Sequence, residues 1–206
     1  MPKDIPPDLV VADFDPAWTV RGSALTAELY DLLTPLVVHV EHIGSTAVPG
    51  MAAKPVFDLQ ASVRDLQEAQ EAFAGPLADR GFVLKPYRQD HVPAGSDDDP
   101  ARWTKRLWTR RDHREPDVNL HVRVAGSPNE RLALLFRDWL RAHPDAVPAY
   151  AAFKRVLARS VPDLATYADV KDPVVDLVVA VAEPWARATG WRAADTMTPR
   201  TPARHT

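Results

Sequence analysis

The hydrophobic period of this chain changes once along its length, and that change restricts its architecture more than any other feature. Through residue 124, strand-like runs alternate with two helical stretches; from Ser127 onward only the helical period remains. Val37 to Ile43 is a β-branched run. Val56 to Val63 sets Phe57, Leu59 and Ala61 on one face and Val56, Asp58 and Gln60 on the other. Residues 117–124 alternate in the same way, with Val118, Leu120, Val122 and Val124 against Asp117, Asn119, His121 and Arg123. Val10–Phe14, Phe82–Tyr87 and Arg102–Arg111 are weaker strand candidates.

Between the strands, Asp15-Pro16 opens a helix with Leu25, Leu29, Leu32 and Leu33 on its apolar face. A second helix is expected over Asp65–Arg80, closed by Gly81. Residues 88–101 have loop composition. Beyond them, Ser127-Pro128-Asn129-Glu130 reads as a capped start for a helix carrying Leu132, Leu135, Phe136, Trp139 and Leu140. Further helices are expected over Ala146–Arg159 and Pro173–Ala188, the last kinked or ended by Pro184. Strands first and helices last predict an α+β fold: a mixed β-sheet with flanking helices in 1–126 and a C-terminal helical bundle in 127–190. The polar, Thr-Pro-containing segment 191–206 reads as a tail without fixed structure.

Composition narrows the function classes. The 206 residues fit one domain, or one with a helical appendage, and 46% hydrophobic residues can build a sizeable core. A net charge of -3 gives no global attraction to nucleic acid, so any anion-binding site must be local. The absence of cysteine removes disulfides, thiolate zinc sites and cysteine nucleophiles together. The opening MPKDIPPDLV lacks the apolar run of a signal peptide, and Val174–Ala182 is too short to span a bilayer and contains Asp176. A cytoplasmic protein without membrane partners is the expectation.

The stretch most able to carry chemistry is EHIGSTAVPGMAAKPVFDLQ, residues 41–60. A strand delivers a Gly44-Ser45 turn whose N–H groups and hydroxyl can hold phosphate oxygens. Asp58 follows on the polar face of the next strand, with Lys54 between them to neutralise phosphate charge. A carboxylate beside a phosphate cradle is what Mg²⁺-dependent phosphoryl or nucleotidyl transfer needs. A structural Asp58–Lys54 pair explains the same residues without chemistry, since a buried carboxylate needs a partner.

Other residues are less specific. His42, next to the Gly-Ser turn, suits a packed strand histidine as well as a catalytic one, and His121 shares a strand face with Asn119. His39, His91, His113, His143 and His205 show no ligand spacing and read as surface or capping residues. Arg102, Lys105, Arg106, Arg110, Arg111 and Arg114 form a cationic run, either a charge-protected edge strand or an anion clamp. Trp103 and Trp108 fall on opposite faces of that strand, so at most one can stack on a base. Tyr150 and Lys154 share a helical face.

The runs HIGSTAVPG and KPVFDL resemble the signature of the GrpB family (UPF0157). NLHV at 119–122, LLFRDWLRAHP at 134–144, AYAAFKRVLA at 149–158 and YADVKDPVV at 167–175 are similar to the same family, so the resemblance covers roughly residues 8–190. It implies a nucleotidyltransferase-like fold, shared with DNA polymerase β and aminoglycoside nucleotidyltransferases. That superfamily's pattern is Gly-Ser, about a dozen residues, Asp-x-Asp, and a third carboxylate on a later strand. Gly44, Ser45 and Asp58 match. Gln60 stands at the second Asp, and the later strand offers Asn119 and His121, with Asp117 a further candidate.

By the resemblance, Gly44, Ser45, Lys54, Lys154 and Lys171 would hold the phosphates of a nucleoside triphosphate. Asp58 would hold Mg²⁺, and Asp58, His121 and Asn119 would form the catalytic group facing a small-molecule acceptor. With Gln60 neutral, such a site holds at most one Mg²⁺. The expected function is nucleotide binding at a degenerate nucleotidyltransferase-like site, with nucleotidyl transfer to that acceptor. Two alternatives are a non-catalytic accessory module, since a GrpB-like domain also occurs fused to dephospho-coenzyme A kinase, and an ATP-dependent small-molecule ligase using the same site.

Overall fold

Residues 37–124 supply one five-stranded mixed sheet in the computed structural model of the chain, which describes Pro6, residues 9–112 and residues 114–196. The elements follow as α1 (Ala17–Leu33), β1 (Val37–Ile43), β2 (Val56–Val63), α2 (Leu66–Asp79), β3 (Val83–Leu84), β4 (Lys105–Asp112), β5 (Glu115–Val124), α3 (Pro128–Ala142), α4 (Val147–Ser160), α5 (Leu164–Thr189) and α6 (Ala193–Thr196). The strand order is β1-β2-β5-β4-β3, and β2–β5 is the parallel pair. The α+β class and the C-terminal helical region are as the periodicity implies.

The alternation of β2 and β5 decides the layering. Phe57, Leu59 and Ala61 of β2 and Val118, Leu120 and Val122 of β5 are buried in the main core. They pack with Leu25, Leu29 and Leu33 of α1, Phe73 and Leu77 of α2, and Trp108 of β4. Local chemistry fixes the covering helices. Asp15 Oδ1 accepts from the Ala17 N–H at 2.9 Å, and Asp65 caps α2 by accepting from the Gln67 and Glu68 N–H groups. The opposite face of the sheet carries the polar residues of β2 and β5. A second apolar cluster, including Val48, Met51, Phe136, Leu140, Val147 and Tyr150, ties the segment after β1 to α3 and α4 on that side.

Several boundaries differ from the sequence expectation for identifiable reasons. Val10–Phe14 yields a single bridge, Ala12 to Ala53, instead of a strand. Phe82–Tyr87 pairs only at Val83 and Leu84, since Pro86 has no N–H to extend a ladder. The strand expected from Arg102 starts at Lys105, because Asp99 caps a 3₁₀ turn over Pro100–Trp103. Ser127 does not cap α3 through its side chain; its hydroxyl donates to Asn129 Oδ1 at 2.6 Å.

The last long helix begins at Leu164, not Pro173, because Asp163 accepts from the Thr166 N–H at 2.8 Å. It runs through Pro173 and Pro184, both on its exposed side, where water can satisfy the carbonyls one turn back. Gly190, at φ 69°, ends it. Trp191 then packs near Trp185 and donates to Asp138 Oδ2 at 3.1 Å, ahead of the short α6. The remainder of the expected tail, 197–206, lies outside the described residues, as do His113 and His205. No helix among the described residues is long and apolar enough to cross a membrane.

Candidate functional site

Gly44 is the hinge of the site. It leaves β1 at φ 70° and ψ -167°, and the chain then turns through a 3₁₀ segment, Ser45–Ala47. A Cβ built on Gly44 would lie 2.5 Å from Asp58 Oδ2, so only glycine lets this carboxylate rest against the turn. The turn is fastened from behind. Arg137 of α3, 2% exposed, donates to Glu41 Oε2 at 2.9 Å and to the His42 carbonyl at 3.1 Å, and Arg141 Nε donates to the Ala47 carbonyl at 3.0 Å. His42 serves the same purpose. Its Nε2 lies 2.8 Å from Thr46 Oγ1, and its ring fills the space that Gly22 leaves open in α1.

The parallel register of β2 and β5 sets Asp58 beside Asn119 and Gln60 beside His121. Asn119 Nδ2 donates to Asp58 Oδ1 at 2.7 Å, and its own Oδ1 accepts from Arg111 Nη2 at 2.6 Å. His121 Nε2 is 3.7 Å from Asp58 Oδ1, while its Nδ1 faces Arg123 Nη2 at 3.5 Å. Arg123 can only donate, so this arrangement favours the tautomer with the proton on Nε2, turned toward Asp58. Burial opposes ionisation of Asp58, but the His121 and Asn119 contacts and the charge of Lys171 outweigh it and hold the carboxyl well below the usual range. The side chain remains one-third exposed, so the carboxylate is both ionised and reachable.

Gln60 is committed elsewhere. It is 1% exposed, accepts from Arg123 Nη1, and donates to the Glu130 carbonyl at 3.3 Å. Arg123 in turn donates through Nε to Asp90 Oδ2 at 2.8 Å. Asp90 also receives Lys105 Nζ at 2.5 Å and Asn129 Nδ2 at 3.0 Å. Burial disfavours its charge, but Arg123 and Lys105 hold it far below the ordinary carboxylate range. The position that would carry a second metal-binding carboxylate therefore carries an amide bound to a guanidinium. No three Asp, Glu or His side chains converge as metal ligands among the described residues. This donor set does not fit a two-metal pair; Asp58, with oxygens from a bound ligand, could hold a single Mg²⁺.

Positive charge approaches from the helical side. Lys154 of α4 is 3% exposed, lies over the Tyr150 ring at 5.2 Å, and donates to Ser45 Oγ at 2.8 Å. Burial first, then the field of Lys171, lowers its pKa to about 7, with Asp58 acting in the opposite direction. Lys171 of α5 acts on both Lys154 and Asp58. Lys54 lies 5.0 Å over the Tyr167 ring, and its charge also reaches Lys154. Asp58 takes its contacts from Asn119 and His121, while Asp138 of α3 binds Arg137.

The cationic run divides by face. Lys105 and Arg111 point to the site side, where they meet Asp90 and Asn119. Arg106 donates to Gln70 at 2.6 Å and Arg110 lies 5.0 Å over the Phe82 ring, so both serve packing. β4 lies between β5 and the two-residue β3, not at the edge of the sheet. Trp103 and Trp108 are both buried, at 3% and 2% exposure, so neither is open to a base. His91 pairs with Asp176 of α5 at 2.9 Å, and His143 stacks on Trp139 at 4.5 Å. Sequence reasoning passed over Asp90, one of several acids in a loop, and had no pattern with which to distinguish it.

Burial lowers both His42 and His121 to about 4. Between about pH 4 and 6.5 the unfolded chain therefore binds more protons at these rings than the folded one, and stability rises with pH. The melting temperature is expected to drop by several degrees from pH 7 to pH 5. His42→Gln should flatten that slope. An equal slope in wild type and variant in paired thermal melts would exclude His42 as a source.

A mixed five-stranded sheet with α1 and α2 on one face, and on the other a carboxylate laid against a Gly-Ser turn under α3 and α4, defines an α+β protein. Within that class the chain belongs to the GrpB family: the family model described as GrpB protein matches residues 8–180. A crystal structure of the conserved protein GrpB from Enterococcus faecalis superposes with a TM-score of 0.68 over 85% of this chain and 99% of that one, at 24% identity, which supports the shared fold. A UPF0157 protein of Halalkalibacterium halodurans is 30% identical over 83% of this chain and 80% of its own length. A protein named dephospho-CoA kinase from Mycolicibacterium paratuberculosis is 36% identical over 86% of this chain but only 47% of its own length. The chain thus spans about half the length of the curated relatives of that name.

Proposed function

We propose that this chain binds a nucleotide through its phosphates at the Ser45–Lys154 end of the cleft, and that the bound nucleotide is the donor in transfer to a small acceptor. The observation that carries this reading is Lys154: a buried ammonium group whose hydrogen bond goes to a neutral hydroxyl, directly after a glycine turn. A phosphate would supply the negative charge that such a group requires. Ser45 and the turn backbone would contact the phosphate, with Lys171 and Lys54 adding charge. Asp58 would hold one Mg²⁺, which supplies charge neutralisation when bound. Asn119 and His121 act as positioning groups for Asp58 in this scheme. The neutral His121 leaves Asp58 as the negative centre.

Calorimetric titration with ATP, GTP, CTP and UTP, each with and without Mg²⁺, tests the reading; absence of binding to all of them by the folded protein sinks it. Lys154→Met is expected to weaken binding by at least about tenfold, the scale of one charge-assisted contact. It is also expected to leave the melting temperature unchanged or raised. The folded pKa of Lys154 lies below its unfolded value, so at pH 7 its charge opposes folding. For the same reason, affinity should fall above about pH 7 as the unliganded lysine loses its proton, by up to about tenfold per pH unit.

One observation favours a second reading, a non-catalytic module. Gln60 and Asn119, at the second and third carboxylate positions of the superfamily pattern, are engaged with Arg123 and Arg111. Nucleotide binding without turnover of any nucleotide, across a panel of small acceptors, would select that reading.

A further inference from the structure

Helix α5 carries a face that no other part of the described chain covers. Val170, Pro173, Leu177, Val181, Pro184 and Ala188 are exposed, Leu177 at 67% and Val181 at 53%. They recur at intervals of three and four residues, so they form one straight apolar stripe, while Tyr167, Val179, Ala182 and Ala186 of the same helix turn into the protein. The stripe extends for about 27 Å of helix. A run of this length on a helix already packed by its other side is the pattern of an unfilled helix–helix contact.

The charges beside the stripe indicate what fills it. Asp169 and Arg187 flank its two ends, at equal distances in sequence from Val178. Their separation is about five helical turns, which places both on the same side of the stripe. Neither forms an ion pair among the described residues. When two such helices pair antiparallel about a two-fold axis at Val178, Asp169 of each copy meets Arg187 of the other, and the apolar stripes coincide. A parallel pair would instead put Asp169 level with Asp169 and Arg187 level with Arg187, so neither would meet an opposite charge from the other.

We propose that the α5 stripe is the interface of a homodimer in which two copies of this chain pair antiparallel, closed by two reciprocal Asp169–Arg187 ion pairs. The arrangement is isologous, so it closes at two copies. One helix pair is small beside standard interfaces, which sets a dissociation constant on the order of micromolar.

Sedimentation velocity across about 1 to 200 µM should show a monomer–dimer equilibrium in that range. Leu177→Glu, at an exposed position, should weaken it by at least about tenfold with an unchanged circular dichroism spectrum. Asp169→Arg or Arg187→Asp alone should weaken it several-fold. The double variant carrying both changes should recover, because each new arginine meets a new aspartate across the axis. A monomer at every concentration overturns the proposal, and would leave the face to an additional domain such as the longer relatives contain. A dimer insensitive to Leu177→Glu overturns it as well. Single charge reversals without effect, or a double variant that stays weak, overturn the antiparallel arrangement.

Discussion

Arg137→Met is expected to destabilise the fold by about 3–5 kcal/mol, the cost of removing one partner from a buried ion pair. The guanidinium is 2% exposed and engages Glu41, Asp138 and the carbonyl of His42. Its neighbours shift it toward permanent charge: burial works against the cation, but Asp138 and Glu41 more than compensate. Methionine fills much of the same volume, so the loss is electrostatic and not a cavity. It takes the Arg137 contact away from the Glu41 carboxylate, 7% exposed, near the end of β1. Glu41→Gln in the same chain should therefore restore part of the stability, which chemical denaturation of the two single variants and the double variant will measure. If the two losses simply add, the Arg137–Glu41 contact does not hold β1 to α3.

Gly44→Ala is expected to abolish the nucleotide binding proposed above, a loss of at least about a hundredfold, while costing about 1–3 kcal/mol of stability. Two causes act together. The backbone at φ 70° and ψ -167° lies in a region that alanine adopts only with strain, and the new methyl group would sit 2.5 Å from Asp58 Oδ2. Either the turn relaxes and carries Ser45 away from Lys154, or Asp58 swings off Asn119. The nearby Gly50, also at positive φ but with its closest neighbour at 4.0 Å, is the control. Gly50→Ala should show the backbone strain without the loss of binding. Equal binding by the two alanine variants in calorimetry would show that the Gly44–Asp58 approach has no part in the site.

The regular part of this fold was readable because its strands and helices are strongly periodic. Val37–Ile43 and Val56–Val63 coincide with the expected strands. The alternation on 117–124 named the residues that face Asp58. What the pattern missed has two sources, local capping and breaking residues and contacts distant in sequence. The strand status of Phe82–Tyr87 and Arg102–Arg111 was decided by a proline and by a capping aspartate, and the start of α5 by Asp163. Asp90 became a buried hub only because Lys105, Arg123 and Asn129 converge on it from three other elements. Gln60 was visible as a departure from the superfamily pattern. Its engagement with Arg123 was not, since no spacing rule pairs residues across a parallel register.

The parallel pairing of β2 with β5 has a consequence for how the molecule comes into being. Asp58 and Asn119 are 61 residues apart, so their contact closes a long loop that contains α2, β3 and β4. Hairpin contacts between β4 and β5 close over a short span and should form early, while the strand carrying Asp58 docks late. A nascent chain therefore holds the Gly44-Ser45 turn before Asp58 meets its neighbours on β5. Refolding monitored by amide hydrogen exchange should find the β2–β5 ladder among the last to gain protection, with ligand affinity returning only alongside it.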